Sequence, residues 1–314
     1  MEAKRISEVF FISGCKGKKI TQFFNRFAIR YHEAMNRIII YATLACLCFG
    51  AASCGSTPEP SVPKVSIFCD HIESVARQEG IPFAEAAKLV KDIGFTGADV
   101  RVFQKEDEIR ALDSLGFEHA CAITDINYSK GDQKELEDKT IAFMDEHGFD
   151  RLLLVTGLLP EEGIPQSEIV LARERIAAFA TRVKNLGYTI MVEDYDSKRS
   201  LCYDSERLDS LFSVASNLGL VFDSGNFIFA GQDALEQLKH FRDRIGHVHL
   251  KDRKAQDDMT CVPIGTGCIP IGDIISDLSG SGYQGWFTVE QFGSRNMLED
   301  SKTSYDNIIK LITK

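Results

Sequence analysis

Residues 185–196 read NLGYTIMVEDYD, and residues 217–226 read NLGLVFDSGN. Each opens with Asn-Leu-Gly, the way a helix ends when glycine supplies the left-handed turn that other residues resist. Each continues as a short apolar run and closes on carboxylates. Two copies of one helix-to-strand junction point to a repeating strand–helix unit, and that unit extends in both directions. Upstream lie KVSIFCD (64–70), GADVRVF (97–103), FEHACAI (117–123) and DRLLLVTG (150–157). The junctions contribute YTIMVEDY (188–195) and GLVFDSGN (219–226), and downstream come GHVHLKD (246–252) and WFTVEQF (286–292). Amphipathic stretches such as PFAEAAKLVKDIG (82–94) and SEIVLARERIAAFATRVKNLG (167–187) separate them. Gly94, Gly116, Gly148, Gly187 and Gly219 stand where helix C-caps are expected. Eight strands alternating with eight helices over about 250 residues predict an α/β fold, a single (β/α)8 TIM barrel spanning 64–314. An open doubly wound sheet would need a glycine-rich phosphate turn after its first strand, and CDHIESVARQEG (69–80) holds none.

In such barrels the active site lies at the C-terminal ends of the strands. Polar residues collect there: Glu193 on the fifth strand, Asp223 on the sixth, His247 and His249 on the seventh, Glu290 on the eighth. Asp99 and Arg101 sit at same-face spacing on the second. Singly, each would pass for a solvated or salt-bridged strand end. Two Glu, one Asp and one His at matching height on four consecutive strands instead predict a divalent-cation site. Oxygen-rich ligands with one imidazole suit Mn²⁺, Mg²⁺ or Co²⁺, and Zn²⁺ is compatible. Without a cation, three carboxylates this close would repel one another.

GFTGADVRV (94–102), IMVEDYD (190–196), VFDSGNF (221–227), GHVHLKD, PIGTGCIPIGDI (263–274) and FTVEQF (287–292) resemble, in order and spacing, the motifs of the xylose-isomerase-like barrels, the sugar phosphate isomerase/epimerase family. The resemblance covers about residues 64–312. It implies a metal held by Glu193, Asp223, His249 and Glu290, with Glu193 and Glu290 as the catalytic bases. His247 would then lie deeper or touch substrate, and Asn226, Lys251, Asp99 and Arg101 would serve substrate binding. The implied chemistry is proton transfer beside a carbonyl through an enediolate: epimerisation, aldose–ketose isomerisation, or loss or addition of water on a 3-keto sugar. The chain departs from the family in having Asp99 where Glu is frequent. It also has Asn226 where ketose 3-epimerases often place His. The loop 263–273, with Gly265, Gly267 and Gly272, is expected to bend over the site as a lid or rim. Phosphate-binding candidates are Lys198, Arg199 and Arg295, and sugar-stacking candidates are Tyr195, Phe227, Phe229 and Trp286.

The N-terminal region reads differently. In residues 35–54, MNRIIIYATLACLCFGAASC, a basic start precedes a short apolar run and small residues before Cys54. That is the layout of a lipoprotein signal, with Cys54 as the lipidated residue. Residues 1–34 are then a mis-called or disordered extension, and the proline-rich 55–63 a stiff tether. The expectation is a lipid-anchored barrel in the periplasm or cell envelope, with homo-oligomerisation left open. Residues 1–53 hold eight of the 36 Lys and Arg and three of the 46 Asp and Glu, so the remainder carries a formal net charge of −15. A body this acidic argues against a nucleic-acid partner, including the apurinic-site nucleases built on this barrel type. Two classes remain: a metal-dependent enzyme on a free or keto sugar, or a non-catalytic sugar-binding lipoprotein. Cys69, Cys121, Cys202, Cys261 and Cys268 are odd in number and scattered, which is no disulfide framework.

Overall fold

A computed structural model describes residues 64–313. The expected extension, signal segment, Cys54 and linker lie outside the described residues. Among the described residues, no helix is long and apolar enough to cross a membrane.

The strands are β1 (Lys64–Phe68), β2 (Gly97–Arg101), β3 (Glu118–Asp125), β4 (Arg151–Val155), β5 (Thr189–Glu193), β6 (Gly219–Asp223), β7 (Ile245–Leu250), β8 (Asp252–Ala255), β9 (Asp258–Val262) and β10 (Trp286–Val289). Eight of them close into a parallel barrel in the order β1-β10-β7-β6-β5-β4-β3-β2, while β8 and β9 form a separate antiparallel hairpin. This is the TIM barrel read from the repeating unit. Register places the polar strand ends level with one another: Asp223 pairs with His249, and His249 with Thr288.

Three local readings are corrected. The first strand stops at Phe68, and Cys69 begins α1 (Cys69–Glu79), which buries Cys69, His71, Ile72 and Val75. Full burial of Ile72 and Val75 contributes about 1.5–3 kcal/mol each, which is what draws this segment into a helix. Gly219 caps no helix, because it is the first residue of β6, whereas Gly148 ends its helix in the left-handed region at φ 74°. Gly272 does not bend the loop, since it lies in a helix, Ile271–Gly280.

An apolar layer separates the barrel from its helices, and a second cluster of Phe68, Cys121, Ile123, Leu153, Met191 and Val221 fills the interior. Trp286 and Met191, both buried, complete the interior at the N-terminal end of the strands. Glycines make room for them. A Cβ on Gly97 would lie 2.6 Å from the Trp286 ring, and one on Gly219 would lie 3.0 Å from Met191 Cγ. Trp286 and Phe227 are therefore packing residues rather than sugar platforms. All five cysteines beyond residue 64 are free thiols.

Candidate metal centre and active site

Glu193 and Asp223 are the last residues of β5 and β6, and Glu290 follows the last residue of β10. Strand alternation turns His247 and His249 to the same side, into the barrel. One ligand atom each from Glu193, Asp223, His249 and Glu290 lies within 4.8 Å of the others. His249 Nδ1 meets Glu193 Oε1 and lies 3.1 Å from Glu290 Oε2. On the other side of the ring, Nε2 lies 3.1 Å from Asp99 Oδ2. Lys251 Nζ lies 2.6 Å from Asp223 Oδ2, 2.5 Å from Glu290 Oε1 and 3.1 Å from Asn226 Oδ1.

The set fits a divalent cation. Asp223 Oδ2 and Glu290 Oε2 are buried and have charged neighbours, but neither receives an aligned hydrogen bond. Two carboxylate oxygens converge on one imidazole nitrogen, where a single proton can serve only one of them well. The electrostatics match this crowding. Burial pushes Asp223 up to about 7 against the pull of Lys251, with Glu290 and Glu193 adding to the rise. Burial also raises Asp194, and Asp223 raises it further. Glu290 goes the other way: Lys251 and His249 outweigh the burial penalty and hold it well below the usual carboxylate range. For His249, burial opposes the charged ring, but Glu193, with the polar contacts to Asp99 and Glu290, wins and raises it well above its ordinary value.

A cavity of about 190 Å³ opens above this layer. Glu193, Lys251 and Glu290 line its floor, with Tyr195, Asn226 and Phe292 beside them and Arg101, Asp125 and Asp196 also facing it. Arg101 is clasped by Asp70 at 2.9 Å and Asp125 at 3.2 Å. Lys198, Arg199 and Arg295 do not line the cavity.

The remaining expected site residues divide by depth. Arg101, Asn226 and Lys251 reach the cavity. Asp99 and His247 do not: they are buried beneath it and joined to each other at 2.8 Å, so they contact the layer of candidate ligands from below rather than the cavity. The Asn226 amide is already engaged. Its oxygen accepts from Lys251 and from Arg253 Nη2, and its nitrogen donates to Asp194 O. Phe229 is no sugar platform either, because the Arg253 guanidinium lies over its ring. Arg253, Thr288 and His71 had no chemical signal of their own in the sequence, and Asp252 had only its place in the HLKD motif. The one available signal among the first three was spacing for Thr288, which stands two residues before Glu290 and on the same face but was not singled out.

Asp252 organises the loop after the hairpin. Its carboxylate accepts from the backbone N–H of Arg253, Gly265, Gly267 and Ile269 at 2.8–3.1 Å. The glycine-rich segment is thus a pinned rim and not a free lid. Gly267 is required there, since a Cβ would strike Arg253 O and the Asp252 carboxylate.

His71 props the other side. Its Nε2 accepts from the Gln291 N–H at 2.9 Å, immediately after Glu290. Burial holds its pKa down at about 4. The unfolded chain, with an ordinary histidine, therefore takes up a proton first as pH falls. The stabilisation is whole above about pH 6.5 and is lost progressively down to about pH 4, a difference of about 3 kcal/mol. His71→Gln keeps an acceptor for Gln291 and should flatten this part of the acid limb in urea unfolding between pH 7 and pH 4.5. An unchanged pH dependence would assign the effect elsewhere.

Comparison with known proteins agrees with the geometry. Over 90 residues the chain is 34% identical to an inosose dehydratase of Bacillus thuringiensis (strain Al Hakam), a stretch covering 23% of this chain and 30% of that protein. The chain thus matches about a third of the length of this curated relative. Among solved structures, it resembles a probable 3-DHS dehydratase involved in petrobactin synthesis from Bacillus anthracis, with a TM-score of 0.66, 16% identity, and coverage of 80% of this chain and 99% of that one. An L-ribulose 3-epimerase gives a TM-score of 0.65 at 16% identity, covering 80% and 95%. The IOLI protein with a bound zinc atom gives 0.63 at 16%, covering 80% and 98%. The sequence pattern of one family runs through residues 87–313, most of the barrel and all four converging residues included, and by that match the chain belongs to the xylose isomerase-like TIM barrel family.

Proposed function

We propose that this chain is a divalent-metal-dependent enzyme that moves a proton beside the carbonyl of a small, uncharged sugar, as an isomerase or epimerase. The observation that carries the reading is the pair Glu193 and Glu290. Both meet the same imidazole nitrogen, yet they come from strands separated in the barrel by β6 and β7. Glu193, Asp223, His249 and Glu290 would hold the cation, which when bound would supply Lewis acidity toward the carbonyl and the negative charge developing beside it. Glu290, kept ionised by Lys251 and His249, takes or returns the proton on its side, and Glu193 serves the other. Tyr195 and Phe292 offer apolar surface for the C–H face of a sugar ring or chain.

Size and charge favour a free monosaccharide. The cavity, about 190 Å³, falls below the range of about 300–1,000 Å³ common for drug-sized ligands. Both cations on its wall are paired, Arg101 with Asp70 and Asp125, Lys251 with Asp223 and Glu290. A phosphate would meet no uncommitted cation among the residues lining the cavity.

Elimination of water beside a ketone is the second reading. Lys251 favours it, as a buried ammonium 2.5 Å from Glu290 that can protonate a departing hydroxyl, and so does the local identity to inosose dehydratases. The test is deuterium uptake in D₂O by NMR, with protein stripped by EDTA and reloaded with Mn²⁺, against free, phosphorylated and keto sugars. The expected result is metal-dependent carbon-bound deuterium in a free sugar. Loss of a hydroxyl instead selects the dehydratase. Metal binding with no turnover of any sugar would favour a binding protein and overturn the enzyme reading. We also infer from the sequence that Cys54 carries lipid and holds the barrel at the cell envelope. Labelled palmitate that enters the wild-type chain but not Cys54→Ser is the expected result.

A further inference from the structure

We infer that Asp99 decides which nitrogen of His249 faces the metal, and so acts as a positioning residue for the whole centre. This rests on the metal-dependent reading above. Phe68 packs edge-on against the His249 ring, with centroids 4.7 Å apart. That contact fixes the plane of the imidazole. It does not distinguish the ring from its half-turn flip, which has nearly the same shape. The flip would remove Nδ1 from Glu193 and Glu290 and put a carbon in its place. On the edge away from Glu193 and Glu290, a polar contact tells the two apart before any cation is bound, and Asp99 Oδ2 supplies it, 3.1 Å from Nε2.

Asp99 is itself held from three directions. Its Oδ2 also lies 2.8 Å from His247 Nε2, and its Oδ1 accepts from the Thr288 hydroxyl at 3.1 Å. Because the Thr288 hydrogen goes to Asp99, Ser66 Oγ, 2.6 Å from Thr288 Oγ1, donates in turn. All of these side chains are buried, from four different strands, so Asp99 cannot swing without breaking the interior of the barrel. An acceptor-only carboxylate in this position demands N–H on Nε2, which leaves Nδ1 to the metal.

Asp99, Cys121 and His247 also bring donor atoms within 4.8 Å of one another. Both Asp99 oxygens already receive hydrogen bonds, so we read Asp99 and His247 as support for His249 rather than as part of a second cation site.

The experiment titrates EDTA-stripped full-length protein with Zn²⁺ by calorimetry, and follows ¹⁵N-histidine NMR of the Zn²⁺-loaded protein. Asp99→Asn keeps the volume but places an amide N–H₂ among imidazole donors. It should bind Zn²⁺ about 10–100-fold more weakly. Cys121→Ser, in the same layer but without a contact to His249, should bind as the wild type does. In wild type, the His249 resonances should show zinc on Nδ1 and a proton on Nε2. Wild-type affinity in a folded Asp99→Asn variant overturns the inference, as does zinc on Nε2. A second bound Zn²⁺ that Asp99→Asn removes would make Asp99 a ligand and overturn it as well. Failure of wild type to bind Zn²⁺ would instead strike the metal reading beneath it. If Asp99→Asn does not fold, the wild-type NMR result decides alone.

Discussion

Glu193→Gln and Glu290→Gln should each lower epimerisation by about 10³-fold at saturating Mn²⁺, within the span typical of a lost general acid or base, yet they should fail on different substrates. In a two-base reaction each carboxylate serves one face of the carbon, so each removes the proton from only one epimer. Glu290→Gln should then keep deuterium exchange with one epimer and lose it with the other, and Glu193→Gln should show the reverse. The geometry supports this division, because β5 and β10 approach His249 from separate parts of the barrel. Both residues are also proposed metal ligands, so Mn²⁺ content is measured on every variant. Loss of exchange with both epimers in one metal-loaded variant, with exchange kept in the other, would sink the two-base mechanism and favour a single base, as in isomerisation or elimination.

Asp252→Ala should cost about 3–5 kcal/mol in urea unfolding, because four backbone N–H groups lose one charged acceptor at once. For a domain of this size that corresponds to a fall in Tm of about 10 °C. Asp252→Asn keeps one good acceptor oxygen and should lose about half as much. The variant should also weaken substrate binding, since Arg253, next in sequence, reaches Asn226 and the Gly225 carbonyl. An Ala variant within about 1 kcal/mol of wild type would mean that water or a neighbouring group replaces the carboxylate.

The barrel was legible because its signal repeats. The NLG junctions, the apolar runs and the polar strand ends recur often enough that an error in one unit does not disturb the others. The converging ligands were legible for the same reason, since strand alternation turns sequence position into direction. What escaped notice lacks such a period. The hairpin β8–β9 turns through Gln256 and Asp257 with no glycine, so its sequence resembles a polar loop. Asp252 and Arg253 act on segments distant in sequence, and His71 is hidden where a strand gives way to a helix without a break in hydrophobicity. Asp99 was found but given the wrong depth. Its position on β2 shows that it faces inward, whereas only the packing of neighbouring strands shows that two imidazoles cover it.

The filled N-terminal end of the barrel has a kinetic consequence. With Trp286 and Met191 occupying the interior below the ligands, substrate and product share one mouth. Under the proposed epimerase reaction, two sugars that differ only at the reacting carbon, bound by the same groups and leaving by the same route, would compete for the free enzyme. Product should therefore act as a competitive inhibitor with a constant close to its own KM in the reverse direction. The net direction of flux would then be set by whichever reaction removes the product.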